Sequence, residues 1–288
     1  MTDTGAPRPG SDLTVRFAAG VVMAAVASLA IILGGWPFRI LVGLGAAVMI
    51  VEWADMKGVS RPRAWAAAGL MLIFLGAGSE YLFPTGQIDE LVAPTGVAVI
   101  AIAPQSFDPV WYGVAAALGL AALLGLASRS AALAWGFVYI AVPAFALLVL
   151  SWAWYGFVFW AMLVTWATDI GAYAAGRAIG GPKLAPRISP NKTWAGLAGG
   201  VMAAAVVGWL AAGPAIFALG SPFLWLGGAM AVAAQLGDLY ESWEKRRAGV
   251  KDSGTILPGH GGLLDRVDGL LPVALLTLAV PMAGLWLG

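Results

Sequence analysis

The feature that most constrains this chain is a succession of apolar runs, each about 20 residues long and each closed by charges, Pro or Gly. At about 1.5 Å per residue, a run of that length crosses a bilayer's hydrocarbon layer as a helix, which satisfies its own backbone polar groups there. Nine such runs are read, near residues 15–34, 38–54, 64–82, 109–127, 131–150, 154–176, 194–213, 222–240 and 266–287. Residues 88–103 are too short, carry Pro94 and Gly96, meet Pro104 just beyond, and read as a re-entrant or surface segment. The expected fold is an all-α polytopic membrane protein with about nine transmembrane helices. Composition agrees, with 60% apolar and 11% charged residues and a mean hydropathy of +0.86.

Orientation follows from the basic residues, because short loops rich in Lys and Arg stay on the cytoplasmic side. With nine crossings, Arg8 and Arg16 share a side with Lys57, Arg61, Arg63, Arg129, the group from Arg177 to Lys192 and the group from Lys245 to Arg266. Of 16 Lys and Arg, only Arg39 falls opposite. A tenth span at 88–103 would split these groups, so the pattern selects nine, with the N-terminus cytoplasmic and the C-terminus outside. The first run contains "ASLA" but is too long for a signal-peptide core, and it reads as a retained helix. Residues 1–150 are expected to hold helices one to five. Residues 151–288 are expected to hold helices six to nine, the half that carries the charged motifs described next, with cytoplasmic loops at 177–193 and 241–265. The absence of Cys excludes disulfides, thiolate nucleophiles and Cys metal sites, and a net charge of +1 gives no nucleic-acid signature.

Acids are costly inside a membrane helix and usually face a cavity or a partner. Asp169 lies in "WATDIGAYAAGR" of the sixth run. Asp238 and Glu241 close the eighth run in "QLGDLYES", Asp265 and Asp268 open the ninth in "LLDRVDGL", and Glu52 and Asp55 close the second in "VEWADM". Each pair is spaced i, i+3, which puts both members on one helix face. Helix ends collect charge where lipid stops, and Glu52, Asp55 and Glu244 suit that reading. Asp169 and Asp238 suit it less, because apolar residues precede them without a loop signal. Acids converging from separate helices beside Lys and Arg suit a divalent cation and phosphates, and oxygen ligands alone favour Mg²⁺ over zinc. The single histidine, His260, stands in "PGHGG", whose glycines permit close approach to a phosphate or, alternatively, a tight turn re-entering the membrane.

The stretch "SWEKRRAGVKDSGTILPGHGGLLDRVD", residues 242–268, resembles the signature of the phosphatidate cytidylyltransferases, or CDP-diacylglycerol synthases. Ser242, Lys245, Arg246, Lys251, Asp252, Gly254, Pro258, His260, Gly261, Gly262, Asp265, Arg266 and Asp268 stand at the family's spacing. "DIGAYAAGR", "KLAPRISPNKTWAG" and "GDLYES" agree, and "VEWADM" and "YIAVP" agree more weakly. The chain departs from the pattern at Glu244, usually apolar, at Asn191, usually basic, and at Ala195, usually Glu.

The resemblance implies transfer of a cytidylyl group from CTP to phosphatidic acid, giving CDP-diacylglycerol and pyrophosphate, in the inner membrane with the site facing the cytoplasm. It implies Asp238 and Asp265 as first Mg²⁺ ligands and Asp169 and Glu241 as further ones, with a second cation as an open alternative. Lys245, Arg246, Lys251 and Arg266 would hold phosphates, and Asp252, His260 and Asp268 complete the catalytic set. Lys192, Ser189, Ser242, Gly261, Gly262 and Asp169 would line the substrates. The family also suggests a homodimer. A transporter would instead carry its charges near the midplane of broken helices. A non-enzymatic lipid-binding or transport relative of the same fold is the alternative reading.

Overall fold

The computed structural model describes residues 9–82, 108–212, 223–256 and 261–282. Residues 88–103 and His260 lie outside the described residues. In chain order these residues form α1 (Pro9–Leu33), α2 (Gly35–Met56), α3 (Arg61–Ile73), a π-helical turn (Phe74–Gly78) and α4 (Ser79–Leu82), which continue one rod. Then follow α5 (Asp108–Ser128), α6 (Ala131–Ala153), α7 (Tyr155–Ala178), strands β1 (Lys183–Ala185) and β2 (Ser189–Thr193), α8 (Trp194–Ala212), α9 (Phe223–Arg247), the single turn α10 (Leu264–Val267) and α11 (Leu270–Met282).

Local chemistry explains several boundaries. Gly34 and Gly35, with φ of 58° and 48°, make the reversal between α1 and α2 in a region that other residues resist. Ser130 caps α6 by accepting the Leu133 N–H at 3.2 Å. Trp154 is extended, with φ −172°, and separates α6 from α7.

Helices α2, α5, α6, α7 and α8 are each long and apolar enough to cross a membrane, and α1 and α11 add shorter apolar stretches, Gly20–Leu33 and Leu270–Met282. The chain is thus a helical membrane protein by the length and composition of its elements. Two details refine the sequence reading. The all-α reading holds for the helices that build the fold, and β1 and β2 add a short antiparallel hairpin between α7 and α8. Helix α9 continues past residue 240 to Arg247, so the segment read as a loop from 241 is helical for two more turns. Lys245, Arg246 and Arg247 fill its last turn, where cations favour the negative end of a helix.

Helices α7, α8 and α9 form the tightest stack. A Cβ added at Gly199 of α8 would lie 2.3 Å from the Ala175 Cβ and 2.7 Å from the Gly171 oxygen, and one at Gly227 of α9 would lie 2.2 Å from the Ala204 oxygen. Such close backbone approach is how membrane helices associate without a hydrophobic drive between them. It brings Asp169 of α7, Lys192 of β2 and Asp238 of α9 to one end of the stack. Helix α11 packs on α6, α9 and α7, and α6 also packs on α2, which joins the remaining helices to this end.

Candidate functional site

The site is built around α9, whose acids project on successive turns. Gly237 lets this helix press against the following turn: a Cβ there would lie 2.4 Å from the Asp268 carbonyl oxygen and 2.7 Å from Pro272. Asp238 accepts a hydrogen bond from Ser242 Oγ at 3.2 Å and pairs with Lys192 Nζ. Asp169 lies within electrostatic reach of Asp238, Lys192 and Arg266.

One turn on, Glu241 is fully buried and accepts from Lys245 Nζ at 2.9 Å. The same ammonium reaches Asp265 Oδ1 at 2.5 Å. Asp265 Oδ2 accepts from Ser253 N at 2.9 Å, Ser253 Oγ at 3.0 Å and Gly262 N at 2.8 Å. Burial pushes the Asp265 carboxyl up, but Lys245 and the two backbone N–H groups outweigh it and hold the group below the usual carboxylate range. Burial works against the Lys245 charge too, yet Glu241 and Asp265 hold its pKa above the ordinary value.

The donor set suits a hard cation. The Glu241 carboxyl faces that of Asp268, and among the described residues no N–H group donates to its buried Oε1. Two acids so placed call for a proton or a cation between them. Among the described residues, no three acidic or histidine side chains already converge to hold an ion. The ammonium groups of Lys192 and Lys245 instead neutralise Asp238, Glu241 and Asp265.

The remaining residues expected from the sequence lie at the edge. Ser189 is in β2 at the register position opposite Ala185. Arg246 is exposed and donates to the Ile188 and Val250 carbonyls at 3.4 and 3.3 Å. Lys251 and Asp252 are exposed, and Arg266 is exposed on α10. Gly261 takes φ +83°, and a Cβ on it would lie 2.8 Å from Asp265 Oδ2 and 3.5 Å from the Asp252 Cβ. His260 is outside the described residues.

Sequence reasoning assigned Glu52 to the charge that collects at a helix end and passed over Ser253. Glu52 Oε1 accepts from Leu263 N and its Oε2 from Leu264 N, each at 2.9 Å, while Ser253 Oγ donates to Oε2 at 3.3 Å. Its sequence signal was weak: an acid flanked by Val51, Trp53 and Ala54, four residues before α2 ends. The departure at Glu244 also has an account. It pairs with Lys57 and accepts from the Tyr240 hydroxyl at 3.1 Å, on the side of α9 that lines a cavity of about 410 Å³ with Trp53 and Trp135.

The comparisons with known proteins agree with one another. The model of the cytidylyltransferase family matches residues 14–282. A phosphatidate cytidylyltransferase of Bacillus subtilis is 33% identical over 274 residues, covering 90% of this chain and 94% of that protein. A phosphatidate cytidylyltransferase of Brucella suis is 58% identical over 116 residues, which is 39% of this chain and only 42% of the relative's length. A Haemophilus influenzae protein of the same name is 44% identical over 124 residues, 41% of each chain. With the family model spanning nearly the whole sequence and one relative aligned almost end to end, this chain belongs to the cytidylyltransferase family.

Proposed function

We propose that this protein transfers the cytidylyl group of CTP to phosphatidic acid, releasing pyrophosphate and forming CDP-diacylglycerol for phospholipid synthesis. The observation that carries this reading is the gathering of Asp238, Glu241, Asp265 and Asp268 with Lys192 and Lys245 at one end of the helix stack, in a member of this family. A phosphate oxygen of the lipid attacks the α-phosphorus of CTP. The bond from that phosphorus to the bridging oxygen breaks, and pyrophosphate leaves with the bonding pair. Such chemistry asks the protein mainly for positioning and charge neutralisation.

Lys192 and Lys245 supply point charges for the phosphates, each moving from a carboxylate partner to a substrate oxygen. Asp238, Asp265 and Asp268, with Glu241 and Asp169 beside them, would hold Mg²⁺, and ligation through Asp265 Oδ1 requires Lys245 to release it. When bound, Mg²⁺ would supply charge neutralisation on the phosphates. Glycines at 261 and 262 and the Ser189 and Ser242 hydroxyls line the substrates, with Arg246, Lys251 and Arg266 at the rim.

The same reading has nine spans, the N-terminus in the cytoplasm, the C-terminus outside, and the site at the cytoplasmic face of the inner membrane. It includes the homodimer that the resemblance suggests, which cross-linking in membranes tests. Purified protein given labelled CTP, phosphatidate and Mg²⁺ is expected to form CDP-diacylglycerol and pyrophosphate, and to stop in excess EDTA. Product formation unaffected by EDTA would refute the cation. A C-terminal alkaline phosphatase fusion is expected to be active in a bacterial host; a silent fusion would refute the nine-span orientation.

A further inference from the structure

Glu52 is 3% exposed, and among the described residues its three hydrogen bonds come from Ser253, Leu263 and Leu264, more than 200 residues along the chain. Among the described residues, no Lys or Arg forms an ion pair with it. Its charge is therefore balanced by N–H and O–H donors of the segment that carries Asp265. A buried carboxylate that loses such donors is strongly disfavoured, so acid and segment must move together or not at all.

The packing points the same way. A Cβ at Gly254 would stand 2.8 Å from Glu52 Oε1. One at Gly262 would stand 2.8 Å from both Glu52 oxygens and 2.1 Å from Ser253 Oγ. Both sides of the loop thus close onto the carboxylate without space for a side chain. Ser253 completes the connection: its one hydroxyl proton lies in reach of Glu52 Oε2 at 3.3 Å and Asp265 Oδ2 at 3.0 Å, while its N–H holds Asp265 at 2.9 Å.

We propose that Glu52 is a positioning residue for the cytidylyl transfer, a fixed acid of α2 that sets Asp265 and the Gly261–Gly262 backbone through Leu263, Leu264 and Ser253. This inference rests on the proposed reaction. It makes α2 part of the working apparatus, although the resemblance there is weak. A misplacement of about 1 Å at a reacting centre lowers rates by about 100-fold, so looseness in this connection is read in turnover before it is read in binding.

The test uses the full-length protein in mixed micelles, with rates normalised to folded protein by size exclusion. Glu52→Gln keeps the size but turns one acceptor into a donor that meets a backbone N–H. Its kcat is expected to fall by about 10-fold or more with both KM values within about 3-fold, and Glu52→Asp should recover part of the loss. Amide exchange at Leu263 and Leu264 should quicken in Glu52→Gln. Met49→Ala, a buried core change on the same helix, should lower Tm and leave kcat unchanged. If Glu52→Gln does not fold, Ser253→Ala carries the same expectation at about 3-fold. A kcat within about 2-fold of wild type for the folded Glu52→Gln, or for Ser253→Ala in its place, overturns the proposal. If the wild type forms no product, the reaction reading fails instead. Exchange then decides alone, and unchanged protection at Leu263 and Leu264 refutes the positioning role as well.

Discussion

The ends of α2 and α9 each bury acids, yet they treat them in opposite ways. Glu52 on α2 is surrounded by backbone N–H groups and a hydroxyl, donors fixed by the fold itself. On α9, Asp238 and Glu241 are held by the ammonium groups of Lys192 and Lys245 on long flexible stems, and Glu241 turns its carboxyl toward that of Asp268. Fixed donors make a hinge pin, whereas in the proposed reaction the ammonium groups would swing away and leave places for substrates and cations. On that proposal the contrast separates acids that hold the loop from acids that exchange partners.

Four substitutions test this division, beginning where the effect is largest. Asp238→Asn removes a charge with little packing change at a partly exposed position, so turnover is expected to fall by about 100-fold or more with Tm nearly unchanged. Near wild-type rates across a Mg²⁺ titration would move the cation elsewhere. Lys245→Met leaves Glu241 and Asp265 buried without their shared cation and is expected to cost about 3–5 kcal/mol by denaturation, besides activity. A loss under about 1 kcal/mol would mean that the ammonium is dispensable to the fold. On the α2 side, Gly254→Ala pushes a methyl against Glu52 and should cost about 1–3 kcal/mol. No loss there would show that the loop has slack. The smallest effect belongs to Asp55→Asn, one turn from Glu52. Its pair with Arg61 at 3.4 Å is solvent-exposed, so stability should shift by no more than about 0.5 kcal/mol and the rate should hold. Loss of activity in this variant would erase the distinction between the two acids of α2.

The sequence made some of this arrangement legible for definite reasons. Apolar runs mark helices because lipid admits little else, and the runs at 38–54, 109–127 and 131–150 lie within α2, α5 and α6. The acids of 238–268 stood out because their spacing and neighbours resemble one family's signature. Hydropathy reports where lipid ends, so it stopped α9 at 240, while hydrogen bonding and the cationic last turn carry the helix to Arg247. It joined Asp265 and Asp268 to one helix start, where the structure has a single turn and then a break before Leu270. The β1–β2 hairpin was hidden, since strands of three and five residues containing Pro190 leave no alternating pattern. Glu52 was hidden for a different reason. Its value depends on donors more than 200 residues away, and nothing near "VEWADM" names them.

That separation along the chain has a consequence for how the protein is made. At a synthesis rate of about 5–20 residues per second, roughly 10–40 s pass between the appearance of Glu52 and that of Leu263. Throughout that interval the carboxylate waits at the end of a finished helix with none of its eventual donors in existence. The segment from Ser253 to Leu264 then covers it, so this acid gains its donors only after α3 to α9 have been made.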